Sequence, residues 1–134
     1  MTTQSTTQSS QATQRTADLR AHYLACWNAT DPEVRADLIV ATFAPEATYV
    51  DPMADAAGYD ALTATIAAVQ QQFPGFVFSP VGEVETHHDV TRFQWGLGPA
   101  GAEPVVVGSN VVTTGADGRI TSVVGFLDVL PAAA

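Results

Sequence analysis

The order of the periodic segments constrains the fold of this chain more than any other feature. Apolar residues recur at helical spacing up to about residue 72, and alternating, strand-like segments fill the remainder. Short turns rich in glycine at 98–101 and 115–118 separate the later strands and predict antiparallel hairpins. Helices followed by strands are typical of an α+β domain. The sequence therefore predicts N-terminal helices packed on an antiparallel sheet.

The helical part of the sequence predicts three helices. The first begins near residue 17 and ends at 28–30, and its inner face carries an apolar stripe: Leu19, Tyr23, Cys26 and Trp27. Asp31 and Pro32 are typical of a helix start, so a second helix begins there and ends near Ala44, with a buried face of Val34, Leu38 and Phe43. The third helix is predicted over 58–72, with three residues facing in: Leu62, Ile66 and Val69.

Strands are predicted at 47–51, 76–79, 84–97, 105–114 and 120–129. Because side chains alternate between the two faces of a strand, Tyr49 and Asp51 share one face. In the segment 105–114, alternation places Asn110 on the same face as Val106, Gly108 and Val112. In the long segment 84–97, alternation puts His87 on the same face as Phe93 and Trp95.

Charge and composition exclude several classes of function. The formal net charge is −9, and the five basic residues are all arginine, which disfavours a nucleic-acid partner and removes lysine chemistry. The polar segment 1–15 is expected to be disordered, and 16–131 to form one domain. No segment has the character of a membrane span or a signal peptide, so a cytoplasmic protein is expected. The single cysteine, Cys26, is expected to be buried and structural.

Three polar residues on predicted inner faces are candidates for chemistry, and each also has a structural interpretation. Asp51 precedes a proline, so it is either a general base at the end of a strand or the start of a turn. Tyr23 is either a core tyrosine or a hydrogen-bond donor to a ligand oxygen. Asn110 either bonds a neighbouring strand or donates to a ligand carbonyl.

Short motifs in this order resemble the ketosteroid isomerases of the nuclear transport factor 2-like superfamily. They are Ala21-His22-Tyr23, then Tyr49-Val50-Asp51-Pro52, then Ser109-Asn110-Val111 ahead of Asp117-Gly118-Arg119-Ile120. The segments 92–95 and 125–128 look like SnoaL-like proteins of the same superfamily. The resemblance covers about 17–129. It implies a cone-shaped fold of three helices on a curved antiparallel sheet, a pocket open at one end, and pairing as a homodimer through the sheet.

By this resemblance, Asp51 would be the base that moves a proton, and Tyr23 would donate a hydrogen bond to the enolate oxygen. Asn110 stands where the isomerases carry a protonated aspartate, and its amide would be the second donor. The implied substrate is a small, apolar, cyclic molecule, and no cofactor is expected. The expected substrate-binding residues are nine: Trp27, Tyr49, His87, Phe93, Trp95, Val106, Val112, Val123 and Leu127.

Other functions remain open at this point. The same fold could serve as a non-catalytic module for hydrophobic ligands or for dimerisation. Epoxide hydrolysis, with Arg92 assisting Asp51, would require Arg92 on the inner face, whereas alternation places it outside. No metal site is expected, because His87 and His88 are adjacent on a predicted strand and point to opposite faces.

Overall fold

The computed structural model describes residues 18–131, which form three helices and one six-stranded sheet. The predicted polar tail at 1–15 lies outside this range. Helix α1 covers 18–28, α2 is Pro32–Thr42 and α3 is Gly58–Gln72. In chain order the strands are β1 Phe43–Asp51, β2 Ala54–Ala57, β3 Phe76–His87, β4 Val90–Pro99, β5 Val106–Thr114 and β6 Ile120–Val129.

The sheet has the strand order β2-β1-β6-β5-β4-β3 and is curved and unclosed, with the helices packed on it. The predicted α+β class is confirmed, but the sheet is mixed, because β1 runs parallel to its neighbour β6. The remaining pairs are antiparallel, and the predicted hairpin turns after β4 and β5 are present. Strand β2 was not predicted from the sequence. It pairs with β1 through a tight turn at the Asp51 end.

The prediction of one continuous strand over 84–97 is wrong. The chain reverses at His88 and Asp89, so β3 and β4 form a hairpin in which His87 pairs with Val90. His88 has a φ of 53°, a left-handed conformation in which histidine and aspartate are enriched among residues other than glycine. The break predicted between 79 and 84 is instead a change of register within β3, which includes Gly82 at a φ of 65°.

The buried face of α2 also differs from the prediction. Asp31 caps the helix as predicted, but Val34 is 51% exposed, and the buried residues are Arg35, Ile39 and Thr42. Phe43 is buried as expected, although it already belongs to β1. The apolar pattern did not predict this face because an arginine can be buried wherever main-chain oxygens accept hydrogen bonds from its N–H groups.

Arg35 and Gln70 join the three helices at the end of α1. The Arg35 guanidinium donates to the carbonyl oxygen of Ala29 at 3.1 Å and to Gln70 Oε1 at 2.7 Å. Gln70 Nε2 donates to the carbonyl oxygens of Trp27 and Ala29, both at 2.8 Å. These bonds satisfy main-chain acceptors that a helix C-terminus leaves free. They therefore fix the end of α1 that carries Trp27.

The core lies between α1, α3 and the inner face of the sheet. Its most deeply buried members include Phe43, Ile66, Phe93, Val112 and Val123, each at most 1% exposed. Cys26 is fully buried, and burial raises the pKa of its thiol to about 11. No helix within 18–131 is both long and apolar enough to cross a bilayer.

Candidate active site

A cavity of about 490 Å³ opens between α1, α3 and the inner face of the sheet. Its deep walls come from buried side chains such as Tyr23, Trp27 and Trp95. Exposed residues, including Met53 and Leu130, surround its mouth. The wall is mostly apolar and aromatic, and the volume lies in the usual range for sites that bind small molecules.

Asp51 lies at the end of β1, where its side chain lines the cavity and is half-buried. Its Oδ1 atom accepts the backbone N–H of Met53 at 2.8 Å, which closes the turn into β2. Its Oδ2 atom accepts a hydrogen bond from the Tyr49 hydroxyl at 2.5 Å. The carboxylate therefore initiates a turn and also faces a potential ligand, so the two interpretations of Asp51 are compatible.

Tyr23 projects from α1 into the cavity with only 2% of its surface exposed. Burial raises the pKa of its hydroxyl well above the ordinary value, and the negative charge on Asp51 raises it further. The side chains of Asn110 and Trp27 act in the opposite direction, because N–H donors near the oxygen favour its charged form. The hydroxyl is therefore protonated at neutral pH and available as a hydrogen-bond donor.

Asn110 is 1% exposed on the inner face of β5, as alternation predicted, but it is not part of the cavity wall. Its Oδ1 atom accepts a hydrogen bond from Trp95 Nε1 at 3.3 Å, which fixes the orientation of the amide. Within the described chain, Asn110 Nδ2 and Trp27 Nε1 are buried donors with no hydrogen-bond acceptor. Buried donors are seldom left unpaired. These two N–H groups can therefore stabilise negative charge that develops near Tyr23.

Two glycines leave room for side chains at the site. A Cβ atom at Gly125 would lie 3.0 Å from Asn110 Oδ1 and 3.3 Å from Asp51 Cβ, so the absence of a side chain at this position makes room for both. A Cβ atom at Gly108 would overlap the indole of Trp95. The absence of a side chain at Gly108 therefore lets the Trp95 ring pack against β5 and form part of the cavity wall.

The predicted substrate-binding residues fall into three groups. Five of them line the cavity: Trp27, Tyr49, Trp95, Val106 and Leu127. Phe93, Val112 and Val123 face inward but are covered by other core residues and lie outside the wall. His87 is exposed near the β3–β4 turn, beside His88, and does not line the cavity. Its expected inward orientation depended on the continuous strand that the structure does not contain.

Several cavity residues were not assigned from the sequence. They come from α3 and the segment after it, from β3 and β4, and from the C-terminal side of β6: Val69, Gln72, Phe73, Phe78, Leu97, Leu130 and Pro131, with Met53 from the turn after β1. A sequence signal existed for Phe78, which alternates with Phe76 in a predicted strand. Asn28 holds this part of β3 against α1, because its side chain donates to the Phe78 carbonyl at 2.9 Å and accepts the Phe78 N–H at 2.7 Å.

Residues 92 and 128 lie outside this site. Arg92 is exposed on the outer face of the sheet and pairs with Glu85 at 2.6 Å, as its predicted orientation requires. Asp128 is exposed on the same face, where Ser109 and Gln94 donate to it. Among residues 18–131, no three His, Cys, Asp or Glu side chains come together as metal ligands would.

Comparison with known families gives one match that covers most of the chain. Residues 19–123 match the family model described as the SnoaL-like domain. A search of curated proteins gives no match.

Solved structures with the same fold include one of considerable sequence similarity. A structure described as a proposed isomerase of the SnoaL-like family from Agrobacterium tumefaciens is 37% identical, with a TM-score of 0.82, over 86% of this chain and 98% of that chain. A proposed polyketide cyclase from Sinorhizobium meliloti is 22% identical, with a TM-score of 0.63, over 81% and 93% of the two chains. A nuclear transport factor 2-like protein of unknown function from Exiguobacterium is 23% identical, with a TM-score of 0.66, over 82% and 98%. The last two show a shared fold alone.

Proposed function

Because the chain belongs to the SnoaL-like domain family, we propose that it is an enzyme that transfers a proton next to a carbonyl group of a small, apolar, cyclic substrate. Isomerisation of a ketosteroid-like enone is the reaction that fits the polar groups best. An intramolecular aldol cyclisation would begin with the same proton abstraction. The proposed isomerase and cyclase among the similar structures are in keeping with both reactions.

The proposed mechanism uses Asp51 and Tyr23. Asp51 takes a proton from the carbon between the carbonyl group and the double bond, and the electron pair moves into the carbonyl to form a dienolate. Tyr23 donates a hydrogen bond to the enolate oxygen as its negative charge develops. The protonated Asp51 then returns the proton to the far carbon of the former double bond. The conjugated enone forms, and the carboxylate is restored.

Asn110 and Trp27 have supporting roles in this proposal. When Tyr23 donates to the enolate, negative charge moves partly onto the tyrosine oxygen. The N–H groups of Asn110 and Trp27 favour the charged form of that oxygen, and neither has a hydrogen-bond acceptor in the described chain. Asn110 thus differs from the expected direct donor, because its contribution passes through Tyr23 instead of reaching the ligand.

The shared position of Asp51 and Tyr23 on the cavity wall is the main support for this function. Asp51 and Tyr23 line the same cavity, whose remaining wall is largely aromatic and aliphatic. Enolisation requires at least a base and a hydrogen-bond donor, and this apolar site contains one of each. Low local polarity strengthens the electrostatic interactions that both groups make with a substrate.

The test is conversion of a β,γ-unsaturated ketosteroid to its conjugated enone, followed by ultraviolet absorbance. We expect turnover by the wild type and a loss of about a hundredfold or more in kcat for Asp51→Asn and Tyr23→Phe. Matched controls are Asp55→Asn, at an exposed position of β2, and Tyr59→Phe, whose hydroxyl donates to the Phe43 carbonyl outside the cavity.

The controls should keep the kcat of the wild type. A wild type without turnover would refute isomerisation and favour a ligand-binding role for the cavity. Full activity in Asp51→Asn would refute the assigned base even if the protein were an isomerase.

A further inference from the structure

We propose that the cavity binds hydrophobic organic cations, in particular quaternary and tertiary ammonium compounds, between Asp51 and its aromatic walls. This is a binding property of the site that does not depend on proton transfer. It follows from the sign of the charge in the cavity and from the arrangement of the aromatic rings.

Asp51 is the one charged side chain among the described residues that line the cavity. Within 18–131, the ion pairs join Arg92 to Glu85 and Arg119 to Asp117. The other described arginines donate to main-chain carbonyls and to a glutamine. Asp51 therefore has no cationic partner in this part of the protein, and a charged ligand of opposite sign would supply one.

The aromatic residues of the cavity form a continuous wall beside this carboxylate. The ring of Trp27 lies 5.4 Å from the rings of both Tyr49 and Phe78, and Phe78 lies 5.5 Å from Trp95, measured between ring centroids. The faces of such rings attract cations, and ammonium groups bearing methyl groups are typical ligands of aromatic cages. The aromatic wall therefore attracts cations, as the Asp51 carboxylate does.

The Asp51 carboxylate accepts two hydrogen bonds from the protein and can still accept others from a ligand. Tyr49 donates to one oxygen and the Met53 N–H to the other, which leaves further lone pairs of a group that can accept about four hydrogen bonds. The formal charge of the chain, −9, also attracts cations over longer distances. An anionic ligand would meet repulsion from both sources.

The experiment compares three ligands that share one hydrocarbon cage and differ in charge: adamantyltrimethylammonium, adamantyl methyl ketone and adamantanecarboxylate. The two tryptophans of the chain, Trp27 and Trp95, both line the cavity, so intrinsic fluorescence reports binding without a label. Titrations use the full chain as wild type, as Asp51→Asn, and as the matched charge control Asp55→Asn.

We expect the wild type to bind the cation about tenfold more tightly than the ketone, and the carboxylate more weakly than the ketone. Asp51→Asn should lose most of the preference for the cation, while Asp55→Asn should keep it. Equal dissociation constants for the cation and the ketone in the wild type would refute the proposal, as would no measurable binding of the cation. A preference that survives in Asp51→Asn would also refute it. If Asp51→Asn does not fold, the series on the wild type decides the question.

The outcome is separate from that of the isomerase assay, because no turnover is measured. A protein that fails to isomerise a ketosteroid can still show the preference for cations. An active isomerase without that preference would refute this inference alone.

Discussion

Replacing Tyr49 by phenylalanine tests how strongly the hydrogen bond from the Tyr49 hydroxyl fixes the orientation of the Asp51 carboxylate. The Tyr49 hydroxyl donates to Asp51 Oδ2 at 2.5 Å, and the ring packs 5.4 Å from the ring of Trp27. Phenylalanine keeps the ring and removes only the donor. Hydrogen bonds to charged groups contribute about 1.5–3 kcal/mol, but water in the cavity can reach the half-buried carboxylate once the donor is gone. We therefore expect a loss of about 1–2 kcal/mol in the free energy of unfolding.

A double-mutant cycle isolates this interaction from other effects of the substitution. Urea unfolding of the wild type, Tyr49→Phe, Asp51→Ala and the double variant, followed by tryptophan fluorescence, should give a coupling energy of about 1 kcal/mol, because alanine leaves no acceptor for the Tyr49 hydroxyl. The same cycle with Tyr59→Phe in place of Tyr49→Phe should be additive, because the Tyr59 hydroxyl donates to the carbonyl of Phe43. A coupling energy below about 0.3 kcal/mol between Tyr49 and Asp51 would refute the reasoning.

The same variant has a kinetic consequence if the proposed reaction is correct. A carboxylate that has lost one of its two protein donors samples more orientations, so kcat for the ketosteroid should fall about tenfold, which corresponds to about 1.4 kcal/mol in the barrier. KM should stay within about twofold, because the ring that packs against the ligand is unchanged. A rise in KM with unchanged kcat would mean that the Tyr49 hydroxyl binds the ligand and does not position Asp51.

Three further predictions concern the structure around the cavity. Gly108→Ala should lower the free energy of unfolding by about 1–3 kcal/mol and shift the fluorescence of Trp95, because the new methyl group would overlap the indole. Gln70→Leu should lower the thermal midpoint, through a loss of about 1–3 kcal/mol, since it removes the side-chain acceptor of Arg35 and the donor to the carbonyl oxygen of Trp27. Burial raises the pKa of the Cys26 thiol from 9.0 to about 11, so the unfolded chain loses this proton at a lower pH than the folded state does. The free energy of unfolding should therefore fall as pH rises from about 9 to 11. In urea titrations, Cys26→Ala should make that fall less steep, and an unchanged slope would contradict the assignment.

Local sequence signals predicted those parts of the fold that depend on neighbouring residues. Asp31 and Pro32 start α2 because a side-chain acceptor and a fixed φ both suit the first turn, and Asp31 accepts the N–H groups of Glu33 and Val34. The bounds of α3, Gly58–Gln72, match the predicted range because breakers lie at its C-terminal end. Alternation placed Asn110 on the inner face of β5 for a similar reason, since it needs only the period of the strand.

The features that the sequence did not predict either depend on distant partners or carry only a weak local signal. Pairing of β1 with β6 brings together segments about seventy residues apart, and no local pattern specifies it. The burial of Arg35 depends on the carbonyl oxygen of Ala29, just after α1, and on Gln70 of α3. The turn at His88 contains neither glycine nor proline. His88 adopts the left-handed conformation, but a histidine in the sequence indicates a turn much less strongly than a glycine does.

The cavity wall illustrates a related limit. Alternation determines which face of the sheet a residue occupies, but not whether a helix covers that residue. Phe93 and Trp95 share the inner face of β4, yet Phe93 packs under Tyr23 at 5.4 Å between ring centroids while Trp95 borders the cavity. The difference is set by the position of α1 over the sheet, which depends on tertiary packing.

The position of α1 also explains how the protein can keep unpaired donors in its interior. Trp27 Nε1 and Asn110 Nδ2 are buried without acceptors in the described chain, and each such group costs about 1–3 kcal/mol. An isolated helix would relieve part of this cost by turning Trp27 towards solvent. Gln70 prevents that movement, because it bonds the carbonyl oxygen of Trp27 itself. Gln70 and Arg35 therefore fix the end of α1 from outside the cavity, so Gln70→Leu should lower stability more than it changes ligand chemistry.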